Sequence, residues 1–216
     1  MLMSLEAQMP DYSPRQNAVL EEALRLLVDG GEKALTTAGV ARAANCSKES
    51  LYKWFGDRDG LLSAMIGFQA SKVRTLDVRP DALTHGALKE HLTVFARDLL
   101  DVLSGDVSLA LNRLAIGHSA RIGASREGST LGSILQERGR RQIGRRAGAL
   151  LEAGRKAGLL AFENVDEAYG VFYGLIVSDL HLRMLLGEEP AVLRQGFGQR
   201  AEKAVAAFLR LHGTQG

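Results

Sequence analysis

The sequence predicts an all-α protein of about nine helices, an N-terminal three-helix unit followed by a larger helical C-terminal unit. Three observations carry this. Apolar residues recur at intervals of three and four along the chain, and no segment alternates like a half-buried strand. Glycine clusters near Gly105, Gly123 to Gly132, Gly158 and Gly187 punctuate the pattern at helix-length intervals, with few prolines between them. Leu35 to Leu61 reads as two short helices joined by a tight turn, each with its own start signal. With 216 residues, 46% hydrophobic and 24% charged, the chain has an ordinary globular mix and can bury a sizeable core, which argues against disordered and membrane classes.

Residues 1–14 lack periodicity and carry Pro10 and Pro14, so they read as a flexible arm. From Asn17, the residues Val19, Leu20, Ala23, Leu24 and Leu27 form one helical face, and Gly30 with Gly31 should stop it. The second helix starts at Thr36, whose hydroxyl can cap free N–H groups, and runs to Ala44 with Val40 and Ala44 on one side. Asn45, which visits left-handed backbone at modest cost, turns the chain. Ser47 then caps Lys48 to Phe55, with Leu51 and Phe55 inward. The outward residues Lys48, Glu49, Ser50, Tyr52, Lys53 and Trp54 are more polar and aromatic than solubility needs and suit a DNA major groove. Asp57 can cap a fourth helix from Arg58 through Leu61, Leu62, Met65, Ile66 and Phe68 to about Arg74. A loop over Leu76 to Asp81, with Pro80, marks the boundary between units.

The run Ala-Asn-Cys-Ser-Lys-Glu-Ser-Leu-Tyr-Lys-Trp-Phe-Gly-Asp-Arg, ending at Arg58, resembles the helix-turn-helix of the TetR family of bacterial regulators, and the likeness covers roughly Arg15 to Lys72. Turn, second helix and next-helix start match in register. Three departures stand out: Asn45 in place of the usual turn glycine, the acidic Glu49, and Gly39 inside a helix. The resemblance implies a DNA-binding domain over 15–75, a fourth helix that carries ligand-driven movement, and Arg58 at the position that holds a DNA phosphate. Thr36, Tyr52, Lys53 and Arg58 become the phosphate candidates, and Ser47, Lys48, Glu49 and Ser50 lie nearer the base edges. Glu49 repels phosphate but can accept from cytosine N4. Trp54 reads equally well as a DNA contact or as a packing residue.

Beyond the boundary, residues 82–211 read as helices over Ala82–Leu103, Ser108–Ile122, Thr130–Ala157, Val165–Leu186 and Ala191–Leu211, with Asn164 and Glu167 resembling a capping box. Gly170, Gly174 and Ser178 form a small-residue stripe, and Leu193, Phe197, Ala201, Ala204, Phe208 and Leu211 a near-heptad seam. Such a pair builds either this chain's own core or half of a four-helix bundle between two copies. The family resemblance favours the homodimer. The stretch Val171 to Gly187 is loosely similar to the C-terminal domain of the AefR-like TetR subgroup, so this half is expected to bind an effector and dimerise. Met65, Phe68, Phe95, Leu99, Leu114, His118, Tyr169, Phe172 and Tyr173 are candidates to line an apolar pocket, though most could equally be core. Arg138, Arg140, Arg141, Arg145, Arg146, Arg155 and Lys156, offset by Glu137 and Glu152, read as a solvated face, or else as a contact to an anionic effector or to DNA.

Other chemistry has little support. His85, His91, His118, His181 and His212 form no His-Glu-x-x-His pair, and no phosphate loop or Gly-x-Ser-x-Gly elbow occurs, so no enzyme, metal or cofactor is expected. The lone Cys46, expected in a buried valine-sized place, fits a reducing cytoplasm, and no apolar run approaches the ~18 residues of a membrane span. Net charge is only +2, so any basic surface must be local. The expectation is a cytoplasmic regulator, a repressor released from a palindromic double-stranded operator by a small molecule. The alternative is a helical ligand-binding or scaffold dimer that has lost DNA binding.

Overall fold

Ser13 starts the first helix. Its hydroxyl accepts from the Gln16 backbone N–H at 3.3 Å, the Gln16 side chain accepts from the Ser13 N–H at 2.9 Å, and Pro14 occupies the first helical position, where no N–H is needed. Helix α1, Pro14–Ala34, therefore begins three residues before Asn17. It does not stop at the glycine pair: Gly31, with φ 63°, kinks it, and a further turn runs on to Ala34. The computed structural model describes residues 12–74, 79–121 and 131–214; most of the expected arm, much of the boundary loop and the glycine-rich stretch before Leu131 lie outside the described residues.

Next come α2, Thr37–Ala43, α3, Lys48–Phe55, and α4, Arg58–Ala70, capped by Thr36, Ser47 and Asp57. A 3-10 turn at Pro80–Ala82 leads to α5, His85–Ser104, and α6, Asp106–Arg121. Then follow α7, Leu131–Leu135, a π-helical turn at Gln136–Arg140, and α8, Arg141–Lys156. The chain closes with α9, Val165–Val177, α10, Leu180–Leu185, α11, Pro190–Arg194, and α12, Phe197–His212.

The described residues thus hold more helical segments than nine, because three expected helices are interrupted. The Thr130–Ala157 span contains the π turn. The Val165–Leu186 span breaks at Ser178, where φ is 46°, and the Ala191–Leu211 span breaks at Gln195 and Gly196.

Arginines explain several of these ends. The last carbonyls of a helix lack intrahelical donors and sit at its negative pole, so a guanidinium fork placed there satisfies both needs. Arg200 of α12 donates to Ile176 and Val177 at 2.6 and 3.1 Å, ending α9. Arg113 closes α10 through Met184 and Leu185, and Arg194 reaches the Ser104 carbonyl at the end of α5. Arg146 holds Ala70 and Val73 beyond α4, and Arg15 holds Ala44 and Asn45 beyond α2.

Two apolar clusters result. One joins α5, α8, α9 and α12 around Phe95, Phe172 and Phe208, with ring centroids 6.0 and 4.8 Å apart. The other surrounds Leu20, Leu62 and Met65, and draws in Leu111, Ala115, Leu131 and Ile134 from α6 and α7, so the packing crosses the expected sequence boundary. This corrects part of the expected dimer seam. Phe197, Ala201, Ala204 and Phe208 are 4, 0, 4 and 0% exposed inside the chain's own core, while Leu211 is 64% exposed. Gly170, Gly174 and Ser178 remain at the surface, and Leu193 is half-buried.

Candidate nucleic-acid interface and cavity

The α2–α3 turn is held from three sides. Asn45 takes the expected left-handed conformation, with φ 49°, the Cys46 N–H donates to the Ala41 carbonyl at 2.9 Å, and Arg15 clamps the carbonyls of Ala44 and Asn45. Cys46 is half-buried against the N-terminal cluster. Gly39 has a packing role that its poor helix propensity conceals: a Cβ there would lie 2.6 Å from the Ala34 carbonyl oxygen. The α3–α4 junction is tighter still, since a Cβ on Gly60 would meet the Phe55 carbonyl at 1.9 Å.

On α3, Lys48, Glu49, Tyr52 and Lys53 face outward, with Tyr52 56% exposed. Ser47 and Ser50 are partly committed, because the Ser47 hydroxyl caps the Ser50 N–H at 3.0 Å and lies 3.1 Å from the Ser50 hydroxyl. The backbone N–H of Glu49 itself, followed by the Ser47 hydroxyl, holds the Glu49 carboxyl below its ordinary range, so it is anionic at the helix start. Trp54 is half-buried in the N-terminal cluster, edge-on to Phe55 at 6.3 Å, which is the packing alternative. Thr36 is exposed, and its hydroxyl caps the Gly39 N–H.

Arg58 is paired with Glu32 at 3.2 Å, and the same carboxylate oxygen lies 2.6 Å from His118 Nε2. His118 therefore joins α6 to α1 instead of lining a pocket. Partial burial pushes the Glu32 carboxyl up, but the hydrogen bonds and charges of His118 and Arg58 together outweigh it and leave it below its ordinary value.

A cavity of about 390 Å³ opens between α4, α5, α6, the π turn, α8 and α9. Of the expected lining residues it gathers Leu99, Tyr169 and Tyr173. Phe95 and Phe172 are instead core, Met65 and Leu114 belong to the N-terminal cluster, and Phe68 is half-buried beneath Lys72. The polar part of the wall is Gln69, Ser108, Asn112, Gln136, Arg140 and His181; none was expected as pocket lining, though Arg140 belongs to the basic run read as a solvated face or an anion contact. Gln69 also left a signal, a polar residue on the buried face of an otherwise apolar helix. Gln69 Nε2 donates to the Ser108 hydroxyl at 3.4 Å, and Asn112 donates to the Ser108 carbonyl at 2.8 Å. Among the described residues of this wall, three buried atoms have no hydrogen-bond partner: Gln69 Oε1, the Tyr169 hydroxyl and His181 Nε2. Burial pushes the Tyr169 hydroxyl well up and the Tyr173 hydroxyl up, and pushes His181 down, so all three groups are neutral near pH 7. The Arg140 guanidinium lies 4.5 Å from the centre of the Tyr173 ring.

Residues 19–65 match a family profile described as bacterial regulatory proteins, tetR family, and residues 90–214 match that of the AefR-like transcriptional repressor C-terminal domain. A solved TetR transcriptional regulator from Agrobacterium tumefaciens is 67% identical over 94% of this chain and 97% of its own, with a TM-score of 0.79. The chain belongs to the TetR family. The flavonoid-responsive regulator FrrA is 25% identical over 94% of this chain and 98% of its own, at 0.65. A TetR-family structure from Mesorhizobium loti, 20% identical over 93% of this chain and 97% of its own, shares the fold at 0.71. No curated protein matches the chain.

As a TetR-family regulator, the chain is a DNA-binding transcription factor. Among the described residues, no helix is long and apolar enough to cross a membrane. In this TetR chain α4 spans both regions: Arg58 begins it directly after α3, and Ile66, Gln69 and Ala70 near its end line the cavity. The π turn leans on the same helix, with the Gly139 Cβ direction 3.5 Å from Ile66.

Proposed function

We propose that this TetR-family chain is a homodimeric repressor that leaves a palindromic operator when a small molecule fills the cavity. The observation that carries the reading is α4, which starts at the end of the α3 reading helix and ends as a cavity wall. A ligand that favours one position of α4 changes the placing of α3, and the shift is limited by its differential affinity for the two states.

Lys48 and Glu49, with Ser47 and Ser50 beside them, supply the face offered to base edges; Tyr52, Lys53, Thr36 and Arg58 reach phosphate. The surface stripe Gly170, Gly174 and Ser178, with Leu193, pairs α9 with its copy and sets two reading heads about one helical turn, ~34–36 Å, apart. The flavonoid response named for FrrA supports an apolar organic effector here as well.

The test is a mobility-shift titration against the DNA upstream of the chain's own gene, with Tyr52→Ala plus Lys53→Ala as control. Binding that weakens steeply with salt and is lost in the double variant supports the reading, because each neutralised phosphate releases counterions. Absence of binding to that DNA and to a random-site library overturns it in favour of a ligand-binding dimer without DNA function.

A further inference from the structure

The cavity wall is unevenly charged. Among its described residues there is no aspartate or glutamate, and Arg140 is the lone formal charge. Three neighbours in sequence are engaged elsewhere: Arg141 and Arg145 both pair with Glu137, and Arg146 is spent on the end of α4. Arg140 has no carboxylate partner among the described residues, and its contact is the face of Tyr173. Deeper in, Gln69 is only 7% exposed, yet its Oε1 lacks a donor, and the Tyr169 hydroxyl lacks a partner too. A buried acceptor left unpaired costs free energy that a ligand donor would recover.

We propose that the cavity selects an apolar organic monoanion, whose carboxylate or ionised phenol pairs with Arg140 against Tyr173 and whose hydroxyl donates to Gln69 Oε1. This deepens the effector reading and rests on it. The guanidinium offers a planar fork to a carboxylate, and the Tyr169 hydroxyl supplies a second donor. Leu99, Leu111, Ile143 and the other apolar side chains enclose the body of the ligand. A cation finds no carboxylate in this wall and meets the Arg140 charge, and a neutral ester forfeits the charge-assisted bond.

The experiment uses the purified full chain with Nile red, a neutral dye that fluoresces in apolar sites, as reporter of the cavity. Leu103→Trp, which fills the cavity, checks that the dye sits there. 4-Hydroxycinnamate represents aromatic acids and decanoate aliphatic ones; each competes against its methyl ester, in the wild type, in Arg140→Gln and in Arg141→Gln. The expected result is that at least one acid displaces the dye about tenfold more tightly than its ester, that the gap closes in Arg140→Gln, and that it persists in Arg141→Gln. The acid that wins identifies the body the site prefers.

Equal displacement by acid and ester, or a gap that survives Arg140→Gln, overturns the proposal. So does dye that binds in the cavity and is displaced by no acid, although the effector cavity itself then stands. If neither dye nor any acid or ester binds, the cavity reading falls, and this inference with it.

Discussion

Glu32 is a single carboxylate shared by Arg58 and His118 from different helices, and its depressed pKa fixes the sign of a pH effect. A folded-state pKa below the ordinary 4.5 means that the stabilisation is complete above that value and is lost as pH falls through the lower folded value. Glu32→Gln should therefore lower the urea midpoint at pH 7, with the gap to wild type closing in acid. His181 works through the opposite charge. Burial depresses its pKa, so the unfolded chain takes up a proton first, and stability should fall as pH drops below 6.5. His181→Asn should flatten that slope in a set of urea titrations from pH 7.5 to 5.5. Gly60 offers a test without ionisation: Gly60→Ala forces a methyl onto the Phe55 carbonyl and should cost about 1–3 kcal/mol in a urea titration. Why the reading helix was legible follows at this scale, since Thr36, Asn45, Ser47 and Asp57 act on neighbours within four residues. Arg140 was not, because a charge run does not say which member faces a cavity.

Among the elements, the same contrast of local and distant causes decides what the sequence revealed. Helix α3 has the expected bounds because its cap and its apolar residues lie inside it. The break after α9 is set by Arg200, more than twenty residues away, and nothing within Val165 to Leu186 announces it. Arg15 performs a comparable task on the reading head, so Arg15→Met should lower stability by about 1–3 kcal/mol and weaken operator binding in the mobility-shift assay, without touching DNA itself. Gly39 belongs here too. It breaks the helical propensity rule because α2 starts hard against the end of α1.

For the whole molecule, the question is which apolar face is core and which is interface, and periodicity alone left both open. Phe208 has no exposed surface and touches Phe172, so Phe208→Ala should remove about 3–5 kcal/mol from the fold. Gly174 is exposed, and a charged side chain there has room in the single chain. Gly174→Glu should therefore leave the melting curve of a monomer cooperative while light scattering reports half the wild-type mass; unchanged mass would move the dimer face elsewhere. The resemblance to TetR regulators anticipated the fold and the family, whereas only three of the nine expected cavity residues line the cavity. An apolar side chain in a core and one on a cavity wall obey the same spacing, and the space between helices is not written in either.

The π turn has a consequence for how such a protein can change. In an ordinary helix, losing or gaining one residue rotates everything beyond it by about 100° and scrambles two faces at once. A turn of five residues already holds one more than the helix needs, so a one-codon deletion within Gln136–Arg140 can be absorbed where it occurs. Gln136 and Arg140 would be re-aimed while α8 keeps its register. Evolution thus has a mutational step that alters what the wall recognises and spares the helices that read DNA.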